Sequence, residues 1–289
     1  MSAPATRLFG GQTMTKPLRR VLVRPPSATG FAAWRDYGWR GEPDPAKLAA
    51  EHDAFCEALR SAGAEVVLAE TEIREDPDAI YVFDSAVVAD RGAIVLRSGK
   101  DGRLAESAAI ANDLEQAGIP VAATLEGLQR VDGGDTIWLD ETTLLAGRGY
   151  RTNDHGIHAL QAALAEVAVL AFDLPHLHGS QVVLHLLSLL SPLDEDLVVG
   201  YLPLLPVRLV RLLRELEIEI VEVPDEEFET MGPNVLALAP RVALALEGNR
   251  ETRRRLERAG VEVSVYRGDE ISRKGDGGPT CLTLPLLRG

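Results

Sequence analysis

The feature that most constrains the fold is a repeat of about fifty residues, in which a short apolar strand, a turn, a second strand, a helix and a closing strand recur about five times. In the first copy, a strand at residues 21–23 is followed by a helix predicted over 44–62, which Gly63 ends, and by a strand at 65–68. Because such units bury their apolar faces against one another, the repeat predicts a closed or stacked arrangement in one domain.

The later copies keep this order of elements. The second has predicted strands at 80–88, 93–97 and 121–123 and a helix at 104–117; the third has strands at 136–139, 143–146 and 167–172 and a helix at 153–165; the fourth has strands at 182–190, 197–201 and 219–223 and a helix at 206–216; the fifth has strands at 235–238, 242–246 and 262–266 and a helix at 250–259. Strands alternating with helices in this way are typical of an α/β fold.

A polar residue stands ahead of an apolar run in successive copies of the repeat. These residues are Asp84, Asp135, His185 and Asn234, and Cys281 repeats the arrangement near the end of the sequence. If the copies are related by rotation, equivalent positions converge near the axis. We therefore expect two carboxylates, an imidazole, an amide and a thiol to share one pocket.

Taken one at a time, these residues have structural alternatives. A free cysteine such as Cys281 is commonly a small core residue, and His185 inside an apolar run can be a core histidine with one hydrogen bond. Asp132 and Asp135, which bracket two glycines, can form an Asx turn. Asp84 is harder to explain structurally, because a carboxylate in so apolar a stretch must be paired or functional.

The other cysteine and the other histidines are weaker candidates for a functional site. Cys56 lies on the apolar face of the first predicted helix and is assigned to packing. The pairs His155 with His158 and His176 with His178 have no third ligand at a recognisable spacing. No nucleotide or dinucleotide motif is found either. We therefore expect no metal and no cofactor.

Composition restricts the classes of binding partner and the cellular compartment that are expected for this protein. The formal net charge of −14 disfavours nucleic acids and anionic membranes as partners, and no apolar run approaches the roughly 18 residues of a spanning helix. Two cysteines provide no disulfide framework, which favours a reducing cytoplasm. Residues 1–17 lack a continuous apolar stretch, so we expect a flexible N-terminal arm before a single domain over 18–289.

A thiol, an imidazole and two carboxylates around one pocket suit chemistry on a cationic carbon. A thiolate attacks such a carbon, while a histidine protonates the leaving group and then deprotonates water. A planar guanidinium offers five N–H donors that match paired carboxylates. A protease would instead need an oxyanion hole and an orienting Asn or Asp behind the histidine. The residue types therefore favour a guanidine as the small-molecule substrate.

Five stretches follow one another over most of the chain from residue 18 onward. They are Pro77-Asp-Ala-Ile-Tyr-Val-Phe-Asp-Ser-Ala-Val-Val88, Asp132-Gly-Gly-Asp135, Gly147-Arg-Gly-Tyr-Arg-Thr-Asn153, Leu184-His-Leu-Leu-Ser188 and Gly277-Gly-Pro-Thr-Cys-Leu282. In this order the sequence resembles the guanidino-group-modifying enzymes, the amidinotransferase or pentein superfamily, and within it the dimethylarginine dimethylaminohydrolases. Each stretch is weak alone, and together they are specific for the superfamily.

That resemblance implies a five-bladed α/β propeller around a central pocket, the pentein fold. It also implies Cys281 as the nucleophile, His185 as the general acid and base, and Asp132 as the carboxylate that binds the guanidinium and supports the histidine. The implied course is attack of the Cys281 thiolate on the guanidinium carbon, loss of an amine, and hydrolysis of a covalent amidino-thioether to citrulline.

The resemblance also implies the residues that hold the substrate. Asp84 resembles a second guanidinium ligand, while Asp78, Arg97 and Arg151 match positions that hold the amino-acid head group. The full set expected to bind substrate is Asp84, Asp78, Arg97, Arg151, Asp135 and Asn234.

Three features depart from the family pattern. Phe83 stands where a glutamate or arginine is usual, Leu187 replaces a frequent lysine, and the loop at residues 34–39 has no counterpart. The favoured function is hydrolysis of methylated arginine to citrulline and an alkylamine. Arginine deiminase and amidinotransferase activities are alternatives, as is a non-catalytic protein that binds arginine-like ligands. A homodimer is a further expectation.

Overall fold

Five sheets of three strands each make up the framework of the protein. The computed structural model describes residues 7–27, 29–180, 182 and 184–289. The strands in chain order are β1 (Leu18–Val23), β2 (Glu65–Leu68), β3 (Ala86–Ala89), β4 (Gly92–Val95), β5 (Val121–Thr124), β6 (Thr136–Asp140), β7 (Thr143–Arg148), β8 (Ala168–Asp173), β9 (Leu190–Asp194), β10 (Leu197–Gly200), β11 (Glu219–Glu222), β12 (Val235–Ala239), β13 (Val242–Leu246), β14 (Glu262–Tyr266) and β15 (Leu284–Arg288).

A helix connects the middle strand of each sheet to the parallel strand beside it. The helices are α1 (Pro45–Ser61), α2 (Glu106–Gln116), α3 (Asp154–Ala163), α4 (Val207–Glu215), the short α5 (Asp225–Phe228) and α6 (Arg250–Arg258). Helix α1 shows how the sequence sets these bounds: the Asp44 carboxylate accepts the N–H groups of Ala46 and Lys47. Gly63, at φ +92°, adopts the left-handed conformation after the helix.

The same pairing pattern recurs in every sheet. In the second sheet, β4 is antiparallel to β3 and parallel to β5. The first sheet has this geometry too, but it combines the first and last strands: β1 is antiparallel to β15 and parallel to β2. The fold is therefore a five-bladed α/β propeller, as the family resemblance implies, with β15 completing the first blade.

Two predicted strands are wrong in extent. The strand expected at 80–88 is extended only from Ala86, because Val82–Ser85 form a 3₁₀ turn. The strand expected at 182–190 begins only at Leu190, after a 3₁₀ turn at Leu186–Ser188, and residue 183 lies outside the described residues. In both places a buried polar side chain stands in or directly before the turn, so the backbone leaves the strand conformation despite its apolar sequence.

The segment 7–17, expected to be a flexible arm, packs against the first blade. The N–H of Gly10 donates to Leu286 O at 2.8 Å, and the N–H of Arg288 donates to Gly10 O at 3.0 Å. A Cβ on Gly11 would meet Arg288 O at 2.1 Å, so only glycine fits there. Met14 is buried in the core. Residues 1–6 of the expected arm lie outside the described residues.

Apolar side chains fill the space between the blades. One cluster joins the second, third and fourth blades and includes Ile94 and Trp138. Another joins the first and fifth blades and includes Phe55 and Leu244. Over the described part of the chain, the helices are too short or too polar to cross a membrane. The core thus fixes the blades relative to one another and leaves the turns that lead their first strands to face a common centre.

Candidate active site

The polar residues that lead the repeats occupy equivalent places in the blades. Asp84 and Asp135 lie in 3₁₀ turns directly before β3 and β6. His185 stands at the start of the turn before β9, Asn234 directly precedes β12, and Cys281 lies shortly before β15. The contacts described below bring them together, which is the convergence expected from the repeat.

His185 is held between two carboxylates. Its Nε2 lies 3.1 Å from Asp132 Oδ2, and its Nδ1 lies 3.8 Å from Asp84 Oδ1. Burial lowers the pKa of the imidazole, but the charges of Asp84, Asp135 and Asp132 outweigh burial and raise the pKa to about 9. The imidazole is therefore protonated at neutral pH.

Asp132 is fully buried and is the principal partner of the histidine. Its other oxygen, Oδ1, accepts the N–H of Gly99 at 2.8 Å. Burial alone would raise the pKa of this carboxyl, but the hydrogen bond and charge of His185, with the charges of Arg103 and Arg151, hold the pKa below its usual range. Asp132 is therefore an ionised carboxylate that forms an ion pair with the His185 imidazolium.

Asp84 is paired with an arginine that the sequence did not single out. Arg103 Nη1 lies 2.6 Å from Asp84 Oδ2, and both side chains are buried. Glu106 fixes the same guanidinium with two hydrogen bonds, at 2.6 and 2.9 Å, and accepts Ser85 Oγ at 2.7 Å. The other oxygen of Asp84 accepts the N–H of Gly134. The sequence did contain a signal for this pair, because a carboxylate in so apolar a stretch requires a cationic partner.

Asp135 is fully buried, and both of its oxygens contact the chain itself. Oδ1 accepts the N–H of Leu186 at 3.1 Å, and Oδ2 accepts the hydroxyl of Thr152 at 2.6 Å. Burial raises the pKa of its carboxyl to about 7, against the charge of His185. The structure thus places Asp135 behind the histidine turn, where it holds the residue that follows His185.

Cys281 lies beside Asn234. The amide nitrogen of Asn234 is 3.5 Å from Cys281 Sγ, and its amide oxygen accepts the N–H of Thr280. The backbone oxygen of Cys281 accepts the N–H of Phe83 at 3.2 Å, which ties the cysteine to the turn that carries Asp84. Burial of the thiol, together with the charge of Asp84, raises its pKa to about 12. Without a ligand the side chain is therefore a neutral thiol.

The residues expected at the substrate head group divide into paired and unpaired side chains. Both oxygens of Asp78 have partners, Trp39 Nε1 at 2.8 Å and Lys100 Nζ at 2.6 Å. Arg97 and Arg151 each have a buried Nη1 without a hydrogen-bond partner among the described residues. Arg151 Nη1 is 3.8 Å from Asp132 Oδ2, too long for a hydrogen bond.

A metal ion would find one set of donors within the described residues. One ligand atom from each of Asp84, Asp132 and His185 lies within 4.8 Å of the others. The guanidinium of Arg103 is 2.6 Å from Asp84, and the imidazole of His185 is itself cationic at neutral pH. Two fixed positive charges disfavour a divalent cation here, whereas they are compatible with acid–base chemistry.

The second cysteine has the packing role assigned to it, and the arginines of α6 pair with glutamate on the exposed face of their own helix. Cys56 is buried on α1, with its Sγ 3.7 Å from His52 Nδ1. Burial raises the pKa of this thiol to about 11. On the exposed face of α6, Glu251 pairs with Arg254 at 2.7 Å. Neither feature contacts the cluster around His185.

The five-bladed fold and this set of a thiol, an imidazole and paired carboxylates define an enzyme that modifies guanidino groups. The sequence profile of the family described as N,N dimethylarginine dimethylhydrolase, eukaryotic, matches residues 41–288. The chain belongs to that family, and it is a hydrolase of the C–N bonds of linear amidines.

Individual proteins show the same relationship. The chain is 29% identical over 271 residues to the N(G),N(G)-dimethylarginine dimethylaminohydrolase of Streptomyces coelicolor, covering 93% of this chain and 98% of that protein. A Cys-to-Ser mutant of the Pseudomonas aeruginosa enzyme complexed with citrulline superposes with a TM-score of 0.77 and 24% identity, over 93% of this chain and 99% of that one. An amidinotransferase of the saxitoxin pathway from Microseira wollei superposes with a TM-score of 0.79 and 17% identity, over 98% of each chain. These superpositions support the fold.

Proposed function

We propose that the protein hydrolyses the guanidino group of arginine derivatives, methylated arginine among them, through a covalent intermediate on Cys281. The ureido product is citrulline when the substrate is a methylated arginine. The observation that carries this proposal is the turn at residues 82–85, which contacts both Cys281 and His185. The N–H of Phe83 donates to the backbone oxygen of Cys281, and Asp84 Oδ1 lies 3.8 Å from His185 Nδ1. Residues 18–289 act as one catalytic domain in this proposal.

The first step begins with a neutral thiol. A bound guanidinium adds a positive charge beside Cys281 and lowers the pKa of the thiol, whose proton leaves to solvent. The Asn234 amide, 3.5 Å from Sγ, stabilises the thiolate. The thiolate then forms a bond to the guanidinium carbon, giving a tetrahedral adduct. Asp84 and Asp132 hold the remaining N–H groups of the substrate.

His185 moves the protons in the following steps. Its imidazolium protonates the leaving nitrogen, the C–N bond breaks, and the amine departs, leaving a cationic amidino-thioether on Cys281. The neutral imidazole then takes a proton from water, and the hydroxide adds to the same carbon. The C–S bond then breaks and the added hydroxyl loses its proton to solvent, which releases the ureido product and returns the thiolate. Asp132 keeps the imidazole oriented throughout, through the 3.1 Å hydrogen bond.

The test is a substrate panel. The protein is incubated with L-arginine, Nω-monomethyl- and Nω,Nω-dimethyl-L-arginine and agmatine, and ureido product and released amine are quantified. We expect product from at least one guanidine, in equal amounts with the amine. Addition of glycine as an amidino acceptor distinguishes transfer from hydrolysis, since transfer forms no ureido product. Ligand binding without any product would support the non-catalytic alternative. A cytoplasmic location and a homodimer stay predictions.

A further inference from the structure

Three carboxylates of the candidate site each have a cationic partner from the chain. Asp84 pairs with Arg103 at 2.6 Å, and Asp132 pairs with His185 at 3.1 Å. The third carboxylate, Asp78, pairs with Lys100. The guanidinium of a substrate needs the first two, because they flank the imidazole. Asp78 is therefore the carboxylate left for a second positive charge on the substrate.

Lys100 fills that place with its own ammonium. Its Nζ donates to Asp78 Oδ2 at 2.6 Å and to the backbone oxygen of Tyr37 at 2.9 Å. The ammonium also lies 4.3 Å from the centre of the Tyr37 ring, within the range of a cation–π interaction. The hydroxyl of Tyr37 donates to Gly102 O at 2.7 Å, which closes the arrangement on the segment that carries Lys100. Lys100 is thus fixed by three contacts.

The second oxygen of Asp78 is occupied as well. Trp39 Nε1 donates to it at 2.8 Å, and the Trp39 ring stacks on Tyr81 with 6.0 Å between ring centres. The neighbouring Asp76 is buried, and its Oδ1 accepts the N–H of Asp78. These contacts give the loop at residues 34–39 a role. It supplies Trp39 and holds Lys100, and these two side chains occupy both oxygens of Asp78.

Two arginines of the same region keep a buried side-chain nitrogen without a hydrogen bond. Arg151 is buried with an exposed side-chain fraction of 7%, and its Nη1 has no hydrogen-bond partner among the described residues. Arg97 has an unpartnered Nη1 in the same way. Gly99, on the segment between Arg97 and Lys100, packs so closely on Arg151 that a Cβ there would lie 2.4 Å from Arg151 O. The segment that carries Arg97 and Lys100 therefore packs directly on the backbone of Arg151.

This charge distribution fits an anionic end group of a substrate better than it fits a zwitterionic amino-acid head group. An anionic group finds two arginine nitrogens without partners, whereas an ammonium finds a saturated Asp78 and meets Lys100 at short range. We propose that Lys100 takes the place of a substrate ammonium, so that the enzyme prefers ω-guanidino carboxylates without a free α-ammonium over arginine and its methylated forms. This inference rests on the proposed guanidino chemistry and names the preferred substrate class.

The test compares L-arginine with 5-guanidinopentanoate, which is arginine without its α-amine. Binding to the Cys281→Ser variant is measured by calorimetry, and kcat/KM is measured on the wild type. We expect 5-guanidinopentanoate to be favoured at least about tenfold in both. The Lys100→Met variant should shift the ratio of the two kcat/KM values by at least about tenfold towards arginine, because Asp78 is then free. Lys100→Arg should keep the wild-type preference.

Lys274 provides a matched control. Its Nζ also donates to one carboxylate and one backbone oxygen, Glu270 at 2.6 Å and Glu42 at 2.8 Å, and neither partner is one of the site residues named above. Lys274→Met should leave the ratio unchanged. Equal or tighter binding of arginine to Cys281→Ser, or an unchanged ratio in a folded Lys100→Met variant, overturns the inference. Preferential binding of 5-guanidinopentanoate without turnover of any guanidine would instead refute the catalytic proposal and support this one.

Discussion

Each of the two cysteines has a side-chain nitrogen near its sulfur, but the surroundings of the two sulfurs differ. Cys56 has a histidine 3.7 Å from its sulfur but lies in the apolar face of α1, only 2% exposed. Cys281 has an amide beside it, keeps partial exposure, and is tied through Phe83 to the turn that carries Asp84. A thiol near an imidazole is therefore not enough to define a catalytic site. Access for a substrate and carboxylates for its charge distinguish the second cysteine.

The largest difference between the two thiols should appear in turnover. We expect Cys281→Ser to lower kcat by at least about 10⁴-fold, as for other enzymes that lose a covalent nucleophile. Cys56→Ser should leave kcat within about twofold, because the side chain contacts no reacting group. Steady-state release of ureido product from both variants checks this. Turnover that survives in Cys281→Ser would mean that the nucleophile is misassigned.

His185 and His52, the histidine beside Cys56, should also matter unequally. His185→Ala should lower kcat by about 10²- to 10⁴-fold, the usual contribution of a general acid and base. The pKa of His185 is raised from 6.5 to about 9, so its acid form is present at neutral pH and is lost as the pH rises through 9. The wild-type kcat should therefore fall above pH 9.

The control for this prediction is His52→Ala, which removes the imidazole beside Cys56. It should keep the alkaline decrease in kcat, whereas the residual activity of His185→Ala should lack that decrease. Added imidazole should partly restore the rate of His185→Ala. A wild-type profile that is flat from pH 7 to 10.5 would contradict the assignment of His185 as the acid.

Alkylation should distinguish the effect of solvent access on the reactivity of the two thiols from the effect of their acidity. Burial raises the pKa of both thiols, to about 11 for Cys56 and about 12 for Cys281, so acidity alone would make Cys56 react first. Because Cys56 is almost fully buried, we expect iodoacetamide to label Cys281 at least about tenfold faster. A bound guanidine should protect Cys281 alone. Equal labelling of the two residues, unaffected by ligand, would contradict the catalytic proposal.

Much of the fold follows from local sequence patterns. The order of strands and helices, the five units and the convergence of the polar residues all depend on apolar periodicity and glycine stops, which are local. The turns around Asp84 and His185 were predicted as strands, because apolar residues surround them. Their 3₁₀ conformation depends on distant partners: Gly134 N–H for Asp84 and the Asp132 carboxylate for His185.

The pairing of charges was less predictable. Arg103, Glu106 and Lys100 lie in an ordinary polar stretch whose sequence gives no sign that it passes through the centre of the molecule. Trp39 reaches Asp78 from a loop with no counterpart in the family pattern. Such contacts depend on how blades pack, and a single sequence carries that information only indirectly. The position of Asp84 in an apolar stretch was the one signal in the sequence that a cation must be nearby.

The pairing of β1 with β15 has a consequence for synthesis of the enzyme on the ribosome. Arg19 donates to Gly289 O across 270 positions of sequence, so the first blade is incomplete until β15 has emerged. Cys281 lies just before β15 and is translated after the other residues of the candidate site. The other four blades can form earlier, whereas Cys281 is positioned only when the two distant strands meet, a contact of high loop-closure cost. A nascent chain is thus expected to stay inactive until translation has passed β15.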